Sequence, residues 1–305
     1  MDILIFIVSM GALIYGADFI IEQSEKIALH FNISSFIIGA TLIALGTSLP
    51  EMAVSMSASF KGSGDIAVAN VIGSTIFNIS LVLGAVFLIA KKITPNRDLF
   101  AMDSAWSLFP ILIFILMGID GKLSRVDGFL FLILMGGYLL FLIQSNQVEQ
   151  LDDDEIKESF GWGKSIALLA VGFVFVVGGA DFAIQSAGNI AREFGVSEWI
   201  IGLFLVAFGT SLPELTVAIK AAKADNADMA IGAIIGSNVA NFTMVLGLSS
   251  IINPLAVDLN GNFFDITAAL IVSVMLVFIT ANKLYNKSAG IVLLTVLALV
   301  IQNSF

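Results

Sequence analysis

The sequence predicts an all-α polytopic membrane protein: ten transmembrane helices arranged as two inverted-topology five-helix repeats. Three observations predict it. Of 305 residues, 58% are hydrophobic and 12% charged, with a mean hydropathy of +1.00; a soluble domain carries roughly 25% charged residues. Apolar stretches of about 20 residues, the length that crosses roughly 30 Å of hydrocarbon, recur along the whole chain. The chain also repeats itself at a fixed offset.

The predicted spans lie near 3–22, 37–59, 66–90, 99–118, 127–145, 164–183, 199–220, 228–252, 263–281 and 287–303. The first begins at Met1 without a small-residue cleavage pattern after it and reads as a retained helix. With no cysteine, the chain has no disulfide, thiolate metal site or thiol catalysis. Much of the net charge of −10 sits in "EQLDDDEIKE" at 149–158, a run read as a solvated linker.

Lys and Arg residues set the expected orientation. With the N-terminus on one face, that face receives Lys61, Lys122, Arg125 and Arg192, while the other receives the remaining ten. Positive charge concentrates on cytoplasmic loops, so both termini are expected outside and the acidic 146–163 loop in the cytoplasm. An inner or plasma membrane of a prokaryotic cell is the expected setting, with lipid as the main partner and no nucleic acid. A monomer is compatible with this reading.

Subtracting 163 from "GADFAIQ" at 179–185 lands on "GADFIIE" at 16–22. The same offset superimposes "GTSLPE" at 209–214 on "GTSLPE" at 46–51, and "IGSNVAN" at 235–241 on "IGSTIFN" at 72–78. About two positions in five agree over 16–84 without a gap. The expected organisation is therefore a first repeat at 1–145, a linker at 146–163 and a second repeat at 164–305. Five spans per half is an odd number, so the second half enters the membrane from the opposite side. Secondary transporters built this way bind their cargo near the midplane, where the repeats meet.

The repeated hexapeptide places a carboxylate in hydrocarbon, which costs several kcal/mol at least. Pro50 and Pro213 remove a backbone donor and clash one turn back, so each helix is expected to open near Gly46 and Gly209. Freed carbonyls of Ala44, Thr47, Ala207 and Thr210 then need partners, and broken backbone is tolerated only inside protein or along a cavity. Thr47 and Ser48 precede Glu51 by four and three residues, on one helical face; Thr210 and Ser211 stand the same way to Glu214. Ser74 and Asn78 form a second polar pair at i and i+4, and Ser237 and Asn241 form its copy. Every one of these groups offers oxygen, which suits hard cations such as Ca²⁺ and suits zinc or copper poorly. No Lys or Arg lies at pairing distance in the adjacent sequence, so Glu51 and Glu214 imply an absent cation. The glycines at 39, 46, 73 and 84 read as helix-packing positions, and Asp18 and Asp181 as ties to a neighbouring helix end.

The duplicated "GTSLPE" and the downstream "GS…N" elements resemble the two alpha repeats of the cation/calcium exchanger superfamily, here near 37–84 and 200–247. The ten-span layout looks most like prokaryotic and archaeal sodium/calcium exchangers. The resemblance implies four cation sites around the glutamates, one favouring Ca²⁺ and the others Na⁺. The implicated residues are Ala44, Thr47, Ser48, Glu51, Ser74 and Asn78 in the first repeat. In the second they are Ala207, Thr210, Ser211, Glu214, Ser237 and Asn241. It implies electrogenic exchange of three Na⁺ for one Ca²⁺ by alternating access, with no cofactor and no enzyme activity. Some members carry aspartate where this chain has Asn241. Within the superfamily the alternatives are a Ca²⁺/H⁺ exchanger and a potassium-dependent variant; hydroxyl oxygens beside each glutamate favour sodium, since a proton needs no coordination shell. A hydrolase would need a nucleophile with its base, yet the single histidine, His30, falls in the first loop. A passive channel fits inverted repeats with broken helices less well than alternating gates do.

Overall fold

The computed structural model describes residues 1–90, 95, 98–99, 103–145, 161–193 and 207–303. The acidic part of the expected linker, 149–158, and the first part of the expected seventh span lie outside them. The described chain is almost wholly helical. Helix α1, Asp2–Phe31, outruns its apolar stretch by nearly three turns, helped by an i, i+4 pair between Glu22 and Lys26 at 2.8 Å, and Asn32 closes it at φ 55°.

Ser34 accepts a hydrogen bond from Ile37 N–H and starts α2, Ser35–Ile38. The chain continues through a π-helical turn, Gly39–Ile43, into α3, Ala44–Thr47, then breaks and resumes as α4, Leu49–Phe60, bent by 46°. Helix α5, Gly64–Phe77, runs through a second π-turn, Asn78–Leu83, into α6, Gly84–Ile89. A 3₁₀ turn at Ser104–Ser107 leads into α7, Phe109–Met117; of the expected fourth span, residues 100–102 lie outside the described residues. Helix α8, Arg125–Gln144, begins with a capping box between Ser124 and Asp127.

The second half holds α9, Trp162–Glu193; α10, Ala207–Thr210; α11, Leu212–Lys223; and α12, Ala227–Ala240. A π-turn, Asn241–Leu246, joins α12 to α13, Gly247–Ile252; α14, Phe263–Ala281, and α15, Lys287–Asn303, follow. Adding 163 to the bounds of α3, α4, α5, the Asn78–Leu83 turn and α6 gives those of α10, α11, α12, the Asn241–Leu246 turn and α13. The sequence repeat is thus also a repeat of element boundaries. One exception to helix is a two-residue antiparallel ladder, Lys122–Leu123 with Leu255–Ala256.

Among the described residues, six helices are long and apolar enough to cross a membrane, and the bent pair at 35–60 makes a seventh. Ser104–Asp120 and Lys287–Asn303 are apolar but shorter.

Two close crossings hold the centre together. Helix α1 lies along α9, where a Cβ on Gly16 would stand 2.8 Å from the Gly172 carbonyl. Where α2 and its π-turn cross α12, a Cβ on Gly39 would collide with the Met229 carbonyl, and one on Gly236 with that of Ala40. Small residues let backbones approach in this way where lipid supplies no hydrophobic drive between helices. Gly46 packs under the Phe173 ring and Gly84 against Leu294, in line with the sequence reading; Gly73 has no atom within 4 Å of its Cβ direction. Its counterpart Gly236 packs on Ala40, and the residue at that offset, 203, lies outside the described residues.

Candidate functional site

Both helix breaks fall at serine. Ser48 adopts φ −83°, ψ 9° and Ser211 φ −88°, ψ 2°, with Pro50 and Pro213 in the first turns of α4 and α11. The opening thus lies two residues beyond the expected glycines. The reason is local: Ser48 N–H still bonds Ala44 O at 3.1 Å and Met52 N–H bonds Ser48 O at 3.1 Å, so the last turn of α3 survives up to residue 48. Each glutamate is the third residue of a new helix, where the unpaired N–H groups and the helix dipole favour negative charge.

The polar side chains meet across the halves. Ser48 Oγ donates to Glu214 Oε1 at 3.2 Å, while Thr47 Oγ1 donates to the carbonyls of Ile43 and Ala44 in its own turn. Thr210, from the second half, lies beside the Glu51 carboxylate. Ser237 Oγ donates to the Ala44 carbonyl at 3.4 Å. Ser74 Oγ reaches Glu51 Oε1 at 3.4 Å from within its own half. Glu51 is fully buried and Glu214 is 3% exposed, and the two carboxylates are within electrostatic reach of each other. Asn78 Nδ2 donates to Asn238 Oδ1 at 3.1 Å.

Several atoms in this cluster are buried without a hydrogen-bond partner: Oε2 of both glutamates, Asn78 Oδ1, Asn238 Nδ2, Ser211 Oγ, and both amide atoms of Asn241. Leaving such groups unpaired in a dry interior costs about 1–3 kcal/mol each, more when charged. Among the described residues neither glutamate is in an ion pair; ion pairs lie elsewhere, as between Lys26 and Glu22 and between Lys220 and Asp18. No group of three His, Cys, Asp or Glu side chains gathers among the described residues. The donors are carboxylate, hydroxyl, amide and carbonyl oxygens, the set that alkali and alkaline-earth cations take.

Of the twelve residues singled out in the sequence, Thr47, Ser48, Glu51, Ser74, Glu214, Thr210, Ser237 and the Ala44 carbonyl share direct contacts. Asn78, Asn241 and Ser211 are buried without bonding either glutamate. Ala207 opens α10, and its side chain lies outside the description. The Ala44 carbonyl is not vacant, since it accepts from Ser48 N–H, Thr47 Oγ1 and Ser237 Oγ. Asn238 went unnoticed in the sequence because its counterpart at the offset is Thr75, which bonds its own helix at Val71 O. Asn70, bonded to the Glu51 carbonyl at 3.2 Å, was hidden likewise, because its counterpart is Ala233. Asp18 ties α1 to α11 through Lys220 at 2.7 Å, whereas Asp181 bonds Gln185 of its own helix at 2.8 Å.

An apolar helical body whose helices break and turn polar at a shared buried point defines an integral membrane protein built around an oxygen-lined centre. The chain belongs to the sodium/calcium exchanger protein family, whose model matches residues 1–144 and 164–304. A membrane protein of Methanocaldococcus jannaschii is 39% identical over 246 residues, covering 81% of this chain and 80% of that one. The sodium/calcium exchanger MaX1 of Methanosarcina acetivorans is 29% identical over 334 residues, 96% of this chain and 95% of that one. The structure of the sodium-calcium exchanger NCX_Mj, soaked with zero Na⁺ and Ca²⁺, superimposes with a TM-score of 0.86 at 34% identity, covering 100% of this chain and 99% of that one.

Proposed function

We propose that this protein exchanges Ca²⁺ for Na⁺ across a prokaryotic cell membrane by alternating access. The observation that carries the reading is the pair of buried glutamates, each beside a hydroxyl of the opposite half and each with one oxygen left unpartnered. Membership of the sodium/calcium exchanger family supports the choice of ions. In this reading the chain crosses the membrane ten times as two inverted repeats, 1–145 and 164–305, with both termini outside and the acidic linker in the cytoplasm. Glu51, Glu214, Thr47, Thr210, Ser48, Ser211, Ser74, Ser237, Asn78, Asn241 and the carbonyls of Ala44 and Ala207 line the cation sites. The ions are cargo, and the protein needs no cofactor.

Glu51→Gln and Glu214→Gln are each expected to abolish Na⁺-driven Ca²⁺ uptake into proteoliposomes while the protein stays inserted and monodisperse. Near-normal exchange in either variant would sink the assignment.

Charge balance sets the electrical behaviour. Two glutamates and one Ca²⁺ sum to zero, whereas two glutamates and three Na⁺ leave one positive charge to cross the membrane. Moving that charge is worth about 2.3 kcal/mol per 100 mV. Exchange is expected to speed up or slow down with the sign of a K⁺/valinomycin-clamped potential. Uptake indifferent to voltage but dependent on a proton gradient would replace the sodium reading with Ca²⁺/H⁺ exchange.

A further inference from the structure

The two glutamates occupy equivalent positions, yet they are held differently. Asn70 and Ser74 stand one turn apart on α5, on one face, and both grip Glu51. Asn70 Nδ2 bonds the Glu51 backbone carbonyl at 3.2 Å and Ser55 Oγ at 2.9 Å, while Ser74 Oγ meets the carboxylate at 3.4 Å. The Glu51 carbonyl only accepts, so the amide must turn its NH₂ toward it. Glu51 is thus fixed at its backbone and at its tip by the same helix. At the 163 offset, Asn70 becomes Ala233 and Ser55 becomes Ala218, both buried in the apolar core. Ser74 becomes Ser237, which bonds the Ala44 carbonyl instead of Glu214. Helix α12 therefore grips Glu214 at neither point, and that carboxylate is bonded by Ser48 of the other half.

We propose that Asn70, seconded by Ser55, is a positioning residue that fixes Glu51 to α5 as the rigid ligand of the cation centre, a support that Glu214 lacks. The proposal rests on the reading of Glu51 as a cation ligand. A glutamate has three rotatable side-chain bonds, so the place of its carboxylate depends on where its backbone is anchored. Partners that orient a metal ligand without touching the metal typically change affinity about 10–100-fold when removed.

The test is Ca²⁺ titration calorimetry on the purified full-length protein in detergent, joined to Na⁺-driven Ca²⁺ uptake in proteoliposomes. Asn70→Ala and Asn70→Leu are expected to weaken Ca²⁺ binding about tenfold or more. The half-saturating Ca²⁺ concentration should rise in step, while the maximal exchange rate stays within about twofold of the parent. Ser55→Ala, which leaves the bond to the Glu51 carbonyl in place, should shift both in the same direction by less. It also serves as the variant of record if the Asn70 substitutions fail to fold. A lower melting temperature with unchanged Ca²⁺ affinity in these variants would reduce Asn70 to a helix staple and overturn the proposal. A parent that binds Ca²⁺ but does not exchange it for Na⁺ would defeat the transport reading alone, leaving the binding comparison decisive for Asn70. A parent that binds no Ca²⁺ would overturn both.

Discussion

Asn241 is fully buried, and neither amide atom has a partner among the described residues. In the proposed function it is a neutral member of the centre that holds Glu51 and Glu214. Adding a carboxylate there attracts a divalent ion twice as strongly as a monovalent one at equal distance. Asn241→Asp is therefore expected to lower the half-saturating Ca²⁺ concentration and to require more Na⁺ to displace bound Ca²⁺. Competition of Na⁺ against ⁴⁵Ca²⁺ binding measures both, and an unchanged ratio would remove Asn241 from the cation centre. At this scale the sequence was legible wherever both halves kept the same polar residue: the Thr, Ser and Glu of "GTSLPE" could be found by superposition alone. Asn238 and Asn70 were not, because a buried amide opposite Thr75 or Ala233 breaks the symmetry that served as the filter. Only contact geometry reveals what such an amide bonds.

Helices show a similar division. The α4 and α11 starts were legible because proline forbids the i−4 bond, although the break settles at Ser48 and Ser211, where the preceding turn finishes its own hydrogen bonds. The three π-turns among the described residues were not legible: they follow ordinary apolar spacing, and nothing in side-chain type distinguishes one extra residue per turn. Two of them begin at Asn78 and Asn241, consistent with the tendency of such turns to sit at functional places. The crossing of α2 and its π-turn over α12 depends on absent side chains. Gly236→Ala would drive a methyl into the Ala40 carbonyl, a backbone atom that cannot swing aside. Overpacking of this kind costs about 1–3 kcal/mol, so the variant should melt at a lower temperature in detergent. An unchanged melting curve would show that the two helices separate more readily than this close contact implies.

For the whole molecule, the apolar stretches located nearly every helix, and the offset of 163 anticipated shared boundaries. Lengths were less legible: α1 and α9 continue well past their hydrophobic runs, since helix length also depends on caps and ion pairs outside the apolar stretch. The proposed orientation has a direct test, because the chain contains no cysteine. Single cysteines at two exposed loop positions, Asp120→Cys and Lys283→Cys, lie on opposite faces in the ten-span reading. A membrane-impermeant maleimide added to intact cells is expected to label the first and spare the second. Labelling of the second alone would reverse the orientation, and equal labelling would change the number of crossings between them.

The contacts that cross between the halves, Ser48 with Glu214, Thr210 with Glu51 and Ser237 with the Ala44 carbonyl, bear on descent. Neither half completes the centre by itself, since each glutamate stands beside a hydroxyl of the other. In the inverted-repeat reading, an ancestor with one copy of the gene and the same chemistry would work as a pair of identical chains inserted in opposite directions. Fusion then freed the copies to diverge. Ala233 and Ala218 opposite Asn70 and Ser55 are where that inherited symmetry has been given up.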